Sequence, residues 1–217
     1  MPRDAFHQEL REIEESVIQM ASLVESSIAR AMQALLHHDM LLAEEVRQAD
    51  GMVNELQRSI RNRCIGVMAR QAPVARDLRE LTTVQLVINE LERMGDHSVG
   101  IARQVHRIPE MEQLPVLADL NEMAKLVQQQ VRAGIQAFVD VNVQAAREVC
   151  TKDDEIDHLH GVIFTDLLER MAKDSSIIQL GTSLLFVAHD LERIGDRVTN
   201  ICEDVVYMVS GEIEELN

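Results

Sequence analysis

The chain has few of the residues that turns and β-sheets require. Its 217 residues include no Trp, one Tyr, four Phe, nine Gly and four Pro. Sandwiches and barrels need many turns and strand-favouring side chains, so this composition argues against them. Long helices are the alternative, and a hydrophobic content of 46% is high enough to form a core. We therefore expect an all-α protein.

Positive charge is also scarce, with 21 Lys and Arg against 37 Asp and Glu and a net charge of −16. Such a chain repels phosphate backbones, so we expect no nucleic-acid partner. No apolar run approaches the roughly 18 residues of a membrane span, and the charged N-terminus is unlike a signal peptide. These features predict a cytoplasmic protein without membrane insertion.

Cysteine is limited to Cys64, Cys150 and Cys202, with no CxxC motif. The number is odd and the neighbours are apolar. We therefore expect buried, reduced thiols and no disulfide framework.

Apolar residues spaced three and four apart predict six long helices. Pro73 marks one break, and the segment 109–115, PEMEQLP, holds two of the four prolines. The predicted helices cover residues 4–38, 41–70, 75–107, 116–140, 142–173 and 175–209. They divide into a three-helix bundle over 1–108, a linker over 109–115 and a second three-helix bundle over 116–217.

The two halves repeat each other. Residues 91–96 read LERMGD and residues 191–196 read LERIGD, an offset of 100. Upstream, EVRQADGMVNELQ aligns with EVCTKDDEIDHLH at an offset of 103. The change of offset needs a three-residue length difference, which falls in the turn at residues 71–73, where a repeat tolerates it. The chain therefore reads as two copies of one three-helix unit.

The repeat places acidic and amide side chains four residues apart on adjacent helices, where they share one face. If each helix pair is antiparallel, the sets face each other, and their oxygens favour hard or borderline cations such as Mg, Mn, Fe or Ca, with Zn an alternative. Asn89 and His189 lie close enough in sequence to add a ligand. The candidate metal residues are Asp50, Asn54, Glu92 and Asp96 in the first half, and Asp153, Asp157, Glu192 and Asp196 in the second.

A polar packing seam is the competing interpretation, because acidic pairs are common in so acidic a chain. Recurrence of the whole set in both halves favours the metal site. Gly95 and Gly195 recur as well. A glycine inside a helix costs about 1 kcal/mol relative to Ala, so a repeated one indicates close approach of a neighbouring helix or a ligand.

An enzyme is not expected. The chain has one Glu-x-x-His, Glu155 to His158, whereas ferritin-like di-iron bundles use two. Met52 and Glu55 stand at the equivalent places of the first half. We find no phosphate-binding glycine loop and no credible catalytic nucleophile.

One stretch runs against the overall charge, because six arginines between residues 58 and 79 are accompanied by a single acid, Asp77. It is either a contact surface for an acidic partner or anion, or an ordinary basic helix end. The arginines are Arg58, Arg61, Arg63, Arg70, Arg76 and Arg79.

The doubled (D/E)LER(M/I)GD motif, the acidic pairs and the six helices closely resemble the PhoU family of bacterial phosphate-transport accessory and signalling proteins. The resemblance implies two tandem, pseudo-symmetric three-helix bundles. It also implies that the acidic motifs bind iron or other divalent metals, often as clusters. Iron is then the first expectation, with Zn, Mn and Mg as alternatives. Asn54 departs from a strict carboxylate pair and brings no charge.

By the same resemblance, the function is regulatory. The protein would restrain phosphate uptake and phosphate-starvation signalling when phosphate is plentiful. Its partners would be the ATPase subunit of the phosphate ABC transporter and a two-component sensor histidine kinase, and a homodimer is left open. The alternatives are a metal-dependent enzyme or metal store on a helical bundle, and a structural helical scaffold without metal.

Overall fold

A computed structural model describes residues 2–108 and 115–216 of the chain. Seven α-helices and one short 3₁₀ helix account for almost all of these residues. The α-helices are α1 (Pro2–His37), α2 (Met40–Gln71), α3 (Arg76–Val105), α4 (Val116–Val139), α5 (Val143–Cys150), α6 (Asp153–Lys173) and α7 (Ile178–Ser210), and the 3₁₀ helix is Ser175–Ile177.

The helices form two bundles that share one core. Helices α1, α2 and α3 pack on one another, and α4 to α7 form the second bundle. Helix α3 of the first bundle packs along α7 of the second, and α1 packs against α4. Nearly all of the buried apolar side chains of both halves belong to one continuous cluster. The predicted all-α fold of two tandem three-helix bundles is confirmed.

Apolar spacing explains the burial of the long helices. In α1, the stripe of Ile13, Val17, Met20, Val24 and Ile28 is completely buried. These residues are three or four apart, so they lie on one face of the helix.

The second helix of each half is capped at its N-terminus by a side chain at the equivalent position. Asp39 accepts hydrogen bonds from the backbone N–H groups of Leu41 and Leu42, which caps α2. Asn142, 103 residues later, caps α5 by accepting from the N–H of Ala145. A helix-capping side chain satisfies backbone donors that would otherwise have no partner. The structure therefore extends the repeat to the helix caps.

The prediction of one helix over residues 142–173 is wrong, because the helix is interrupted between α5 and α6. At this break the backbone N–H of Lys152 bonds to the carbonyl of Val149, a tighter pattern than that of an α-helix. The Thr151 hydroxyl also bonds back to the carbonyl of Glu148 at 2.8 Å. As a result Asp153 opens a new helix and is only 2% exposed, whereas its counterpart Asp50 lies inside the unbroken α2 and is partly exposed.

The three-residue length difference between the halves lies where the repeat predicts it. Residues 72–75 connect α2 to α3, whereas Asp174 alone separates α6 from the 3₁₀ helix. All three cysteines are buried and free, as expected. The predicted linker falls on residues that the structure does not describe, apart from Pro115, so the domain boundaries remain predictions. Across the described ranges, no helix has the length and apolarity to cross a membrane.

Candidate functional site

The predicted metal residues form one group in each half. We call Asp50, Asn54, Glu92 and Asp96 the first cluster, and Asp153, Asp157, Glu192 and Asp196 the second cluster. The first lies between α2 and α3, and the second between α6 and α7. Sequence spacing therefore predicted which helices bring these residues together, and their role as metal ligands stays a prediction.

The two recurring glycines allow these helices to approach closely. A Cβ added to Gly95 would lie 3.2 Å from Oδ1 of Asp50. A Cβ added to Gly195 would lie 2.9 Å from Oδ1 of Asp153. Each glycine thus makes room for the aspartate of the neighbouring helix, which confirms the first of the two predicted reasons, close approach of a helix.

Carboxylates converge in the first cluster. Asn54 donates a hydrogen bond from Nδ2 to Oδ2 of Asp50 at 2.8 Å, while the buried Oδ1 of Asp50 has no hydrogen-bond partner within the described residues. Burial raises the pKa of Asp50, and the nearby Asp96 raises it further. Burial also raises the pKa of Glu92, followed by the effects of Asp96 and Asp50. Three negative groups are therefore close enough to oppose one another's ionisation.

The second cluster accepts hydrogen bonds from side chains outside it. Gln130 of α4 donates from Nε2 to Oδ1 of Asp153 at 2.8 Å, and Arg193 donates from Nη1 to Oδ2 of Asp196 at 2.7 Å. Partial desolvation raises the pKa of Asp157, and Asp153 and Asp196 raise it further. Burial likewise raises the pKa of Glu192, with Asp196 next in importance.

One sequence difference between the halves explains why Asp153 accepts a hydrogen bond that Asp50 does not. Gln130 aligns with Ser27 at the 103-residue offset, and both side chains are buried. Serine is too short to reach the position that the glutamine amide occupies. Asp50 therefore lacks the donor that Asp153 has from Gln130. No sequence signal marks this residue, because glutamine and serine on a buried helix face do not form a motif.

The two additional ligand candidates also behave differently. Asn89 forms hydrogen bonds within the first bundle, since its Oδ1 accepts from Gln57 at 3.1 Å and from Arg61 at 2.6 Å. His189 lies at the edge of the second cluster, with Nδ1 3.6 Å from Oε2 of Glu192. His160 lies close enough to lower the pKa of Glu192 in part, and sequence reasoning missed it.

The donor chemistry of both clusters fits a cation. Carboxylate groups that raise one another's pKa are stabilised when a positive ion neutralises their charge. In residues 2–108 and 115–216, however, no group of three or more His, Cys, Asp and Glu side chains is arranged to hold a metal ion. An ion would therefore have to draw the carboxylates together by side-chain rotation, which the partly exposed Glu92 and the exposed Asp96 allow.

A reciprocal pair of polar contacts joins the two bundles where α3 meets α7. Nη1 of Arg197 lies 3.3 Å from Oε2 of Glu90. Nδ1 of His97 lies 3.0 Å from Oδ1 of Asp190. Positions 90 and 190, and positions 97 and 197, are each 100 residues apart, so the contacts are related by the pseudo-symmetry of the repeat. Sequence reasoning missed this arrangement, although the doubled motif contains both acids.

Most of the arginine-rich stretch is bound within the chain. Arg63 pairs with Glu12 at 3.2 Å, and Arg70 pairs with Glu9. Arg61 is held by Asn89, and Nε of Arg79 donates to the carbonyl of Met208 at 3.2 Å. The interpretation as a contact surface now depends on Arg58 and Arg76, which are exposed and take no part in these contacts.

Comparison with known proteins identifies the family. The PhoU domain model matches residues 17–105 and again residues 120–205. The chain is 36% identical over 218 residues to a phosphate-specific transport system accessory protein PhoU homolog of Clostridium acetobutylicum, covering 100% of both chains. It is 32% identical over 215 residues to the homolog of the same name from Streptococcus pneumoniae, covering 99% of this chain and 100% of that one.

Solved structures agree with this assignment. The crystal structure of the phosphate transport system regulatory protein PhoU from Streptococcus pneumoniae matches with a TM-score of 0.90 and 31% identity, covering 96% of this chain and 99% of that chain. PhoU from Pseudomonas aeruginosa matches with a TM-score of 0.90 and 30% identity, covering 95% of this chain and 100% of that chain. The chain belongs to the PhoU family.

Proposed function

We propose that this protein is a cytoplasmic regulator that restrains high-affinity phosphate uptake and phosphate-starvation signalling when phosphate is plentiful. The observation that carries the proposal is similarity over the whole chain, in both halves, to proteins named as accessory or regulatory proteins of phosphate transport. The family is one of accessory proteins and not of enzymes. Regulation would proceed by contact with the ATPase subunit of the phosphate ABC transporter and with a two-component sensor histidine kinase.

The fold is well suited to an adaptor. Two bundles are joined along α3 and α7 by a common core and by the reciprocal polar contacts of Glu90 and Asp190. A rigid body of this kind holds separate surfaces at a fixed spacing, so two partners can be contacted by one molecule.

We further propose that the first and second clusters each hold a divalent metal or an iron cluster, with iron first and Zn, Mn or Mg as alternatives. The residues that would hold it are Asp50, Asn54, Glu92 and Asp96 in the first cluster, and Asp153, Asp157, Glu192 and Asp196 in the second. When bound, the ion would supply positive charge between carboxylates that otherwise raise one another's pKa.

The chain's own residues prepare each cluster for this role. Gly95 and Gly195 bring the aspartate of the neighbouring helix close. Asn54 orients Asp50, and Gln130 orients Asp153, through hydrogen bonds of 2.8 Å each. Because each cluster draws on two helices, an ion there would tie α2 to α3 or α6 to α7. Metal binding would then influence regulation by making the bundles more rigid.

The regulatory role is tested by deleting the gene in its host and measuring phosphate uptake and starvation-gene expression in phosphate-rich medium. We expect both to rise in the deletion strain and to return to normal when the wild-type gene is restored. Unchanged uptake and expression after deletion would contradict the regulatory role.

A second complementation strain separates the metal from the regulation. It carries Asp96→Ala together with Asp196→Ala, which removes one carboxylate from each cluster. Failure to restore repression, with normal protein levels, supports a regulatory need for the metal. Full restoration would leave an adaptor whose acidic clusters serve packing or solubility.

A further inference from the structure

A groove outside the acidic clusters lies where the start of α3 meets the end of α7. It has a volume of about 310 Å³. Thr82 and Leu86 form one wall, Asp204 and Tyr207 form another, and Ile213 of the C-terminal tail closes a third side.

The tail is fixed in this position by two polar contacts. The backbone N–H of Leu216 donates to Oε1 of Glu203 at 2.9 Å. Glu214 pairs with Nη2 of Arg147 at 2.7 Å. Both acids also line the groove, which therefore has an acidic rim.

Within the part of the chain that the structure describes, the groove holds a carboxylate, Asp204, with no ion-pair partner. Burial raises the pKa of Asp204 to about 7, and Glu90 and Glu203 add to the effect. Of the nearby arginines, Arg197 pairs with Glu90 and Arg79 donates from Nε to the carbonyl of Met208, and neither is among the groups that shift the pKa of Asp204. A partly desolvated carboxylate among other acids is strongly stabilised by an incoming positive charge.

The remaining walls suit the rest of a long basic side chain. Leu86 is 39% exposed and Ile213 is 89% exposed, so both offer apolar surface to a methylene stem. Tyr207 offers an aromatic ring, which attracts a guanidinium placed over its face. Arginine combines a fork that pairs with a carboxylate, a flat group that stacks on a ring and an apolar stem.

We propose that the groove formed by Leu86, Asp204, Tyr207 and Ile213 is a docking pocket for an arginine side chain that a partner protein presents beside an apolar residue. The charge complementarity of the groove selects the cation. Its volume of about 310 Å³ is large enough for one long side chain. The pocket needs neither bound metal nor the proposed role in phosphate transport.

The repeat supplies an internal comparison at the opposite end of the α3–α7 pair. At the 100-residue offset, Arg103, Gln104 and Arg107 stand in place of Glu203, Asp204 and Tyr207, and Phe186 stands in place of Leu86. The equivalent surface is thus basic where the groove is acidic. An arginine should enter the groove and be repelled at its counterpart.

Tyr207 makes the test direct, because it is the only tyrosine and the chain has no tryptophan. The probe is the peptide Ac-Ala-Leu-Arg-Leu-Ala-NH₂, titrated into the full chain while the NMR signals of the Tyr207 ring are followed. The control peptide carries citrulline in place of arginine, with nearly the same shape and no charge. We expect saturable shifts with the arginine peptide and at least about tenfold weaker binding of the citrulline peptide.

Three variants locate the contact. Asp204→Asn and Leu86→Ala should each weaken binding of the arginine peptide by about tenfold or more. Phe186→Ala, the matched change at the opposite end, should leave the affinity unchanged. Circular dichroism verifies that each variant is folded. Unchanged affinity in both Asp204→Asn and Leu86→Ala, or no saturable shift up to about 5 mM peptide, would overturn the proposal.

Self-association provides the remaining outcome. If the Tyr207 signals shift with protein concentration alone, and Arg107→Glu removes that shift, the occupant is a second copy and the proposal of a different partner is overturned. A sedimentation profile that stays constant over the same concentrations supports a different partner.

Discussion

Glu90 of α3 lies 3.3 Å from Arg197 of α7, and the mirrored positions, Asp190 and His97, lie 3.0 Å apart. The acid that precedes the LER segment of each half thus joins the two bundles. The Glu of each LER segment, two residues later, lies in an acidic cluster instead. One short motif therefore supplies both the contact between the bundles and a candidate ligand, on different faces of the same helix.

The ion pair of Glu90 predicts a specific loss of stability. Glu90→Gln leaves Arg197, whose side chain is only 18% exposed, without its carboxylate. A partly buried charge without a partner costs about 1–3 kcal/mol of unfolding free energy. Glu45→Gln is the control, because Glu45 pairs with Arg30 at the surface, where the change should stay within about 0.5 kcal/mol. Urea unfolding measures both, and equal effects would contradict a structural role for the Glu90 pair.

Glycine substitutions distinguish close packing from helix propensity. A Cβ added to Gly100 would lie 2.3 Å from Oδ2 of Asp190, so Gly100→Ala must displace the carboxylate from His97. We expect a net destabilisation of about 1–2 kcal/mol. Apart from its chain neighbours and the backbone of its own helix, no atom of the described residues lies within 4 Å of a Cβ added to Gly51, so Gly51→Ala should stabilise by up to about 1 kcal/mol. Thermal unfolding of both variants should show opposite shifts, and shifts of the same sign would contradict this packing.

The pKa of Asp204 predicts a pH-dependent gain of stability. A folded-state pKa raised to about 7 means that ionisation of Asp204 opposes folding, so its cost grows as the pH rises from about 4 and is complete above 7. Asp204→Asn removes that cost and should add about 2 kcal/mol at pH 8, after allowance for partial exposure to solvent. The gain should shrink steadily as the pH falls towards 4. Urea unfolding across this range measures it, and a gain independent of pH would contradict the raised pKa.

The helical architecture was predictable because the apolar spacing is regular and the halves repeat. The stripe through Ile13, Val17 and Met20 is buried as a three-four pattern requires. The break before Asp153 was not predictable, because Thr151 and Lys152 are compatible with a helix. The interruption depends on hydrogen bonds within the turn, such as that of Thr151 to Glu148, together with burial of Asp153 against Gln130 of another helix.

The sequence allowed us to predict which pairs of helices carry the candidate site. Spacing of four residues placed Glu92 beside Asp96, and recurrence indicated that this pair faces Asp50 and Asn54 on the neighbouring helix. The contact of Asp50 with Gly95 is visible only in the structure. Distances across helices and the identity of outer contacts were not predictable from one chain. Gln130 and His160 reach the second cluster from positions that no local motif marks.

Metal binding should also depend on pH. The raised pKa values of Asp50 and Glu92 mean that these carboxyls retain protons to a higher pH than ordinary ones, and an ion must displace them. We therefore expect affinity for Mn²⁺ to fall as the pH is lowered from 7 to 5, with protons released on binding. Calorimetry in two buffers of different ionisation enthalpy measures the release, and binding without it would contradict convergence of these carboxyls.

The most direct test of the paired clusters is the metal content of untagged protein, measured by mass spectrometry. The wild type is compared with Asp96→Ala combined with Asp196→Ala, and with a control that removes two exposed acids, Glu15→Ala combined with Glu122→Ala. We predict stoichiometric metal in the wild type and in the control, and its loss in the cluster variant. No metal in the wild type, or equal metal in the cluster variant, would contradict the assignment of the two clusters as metal sites.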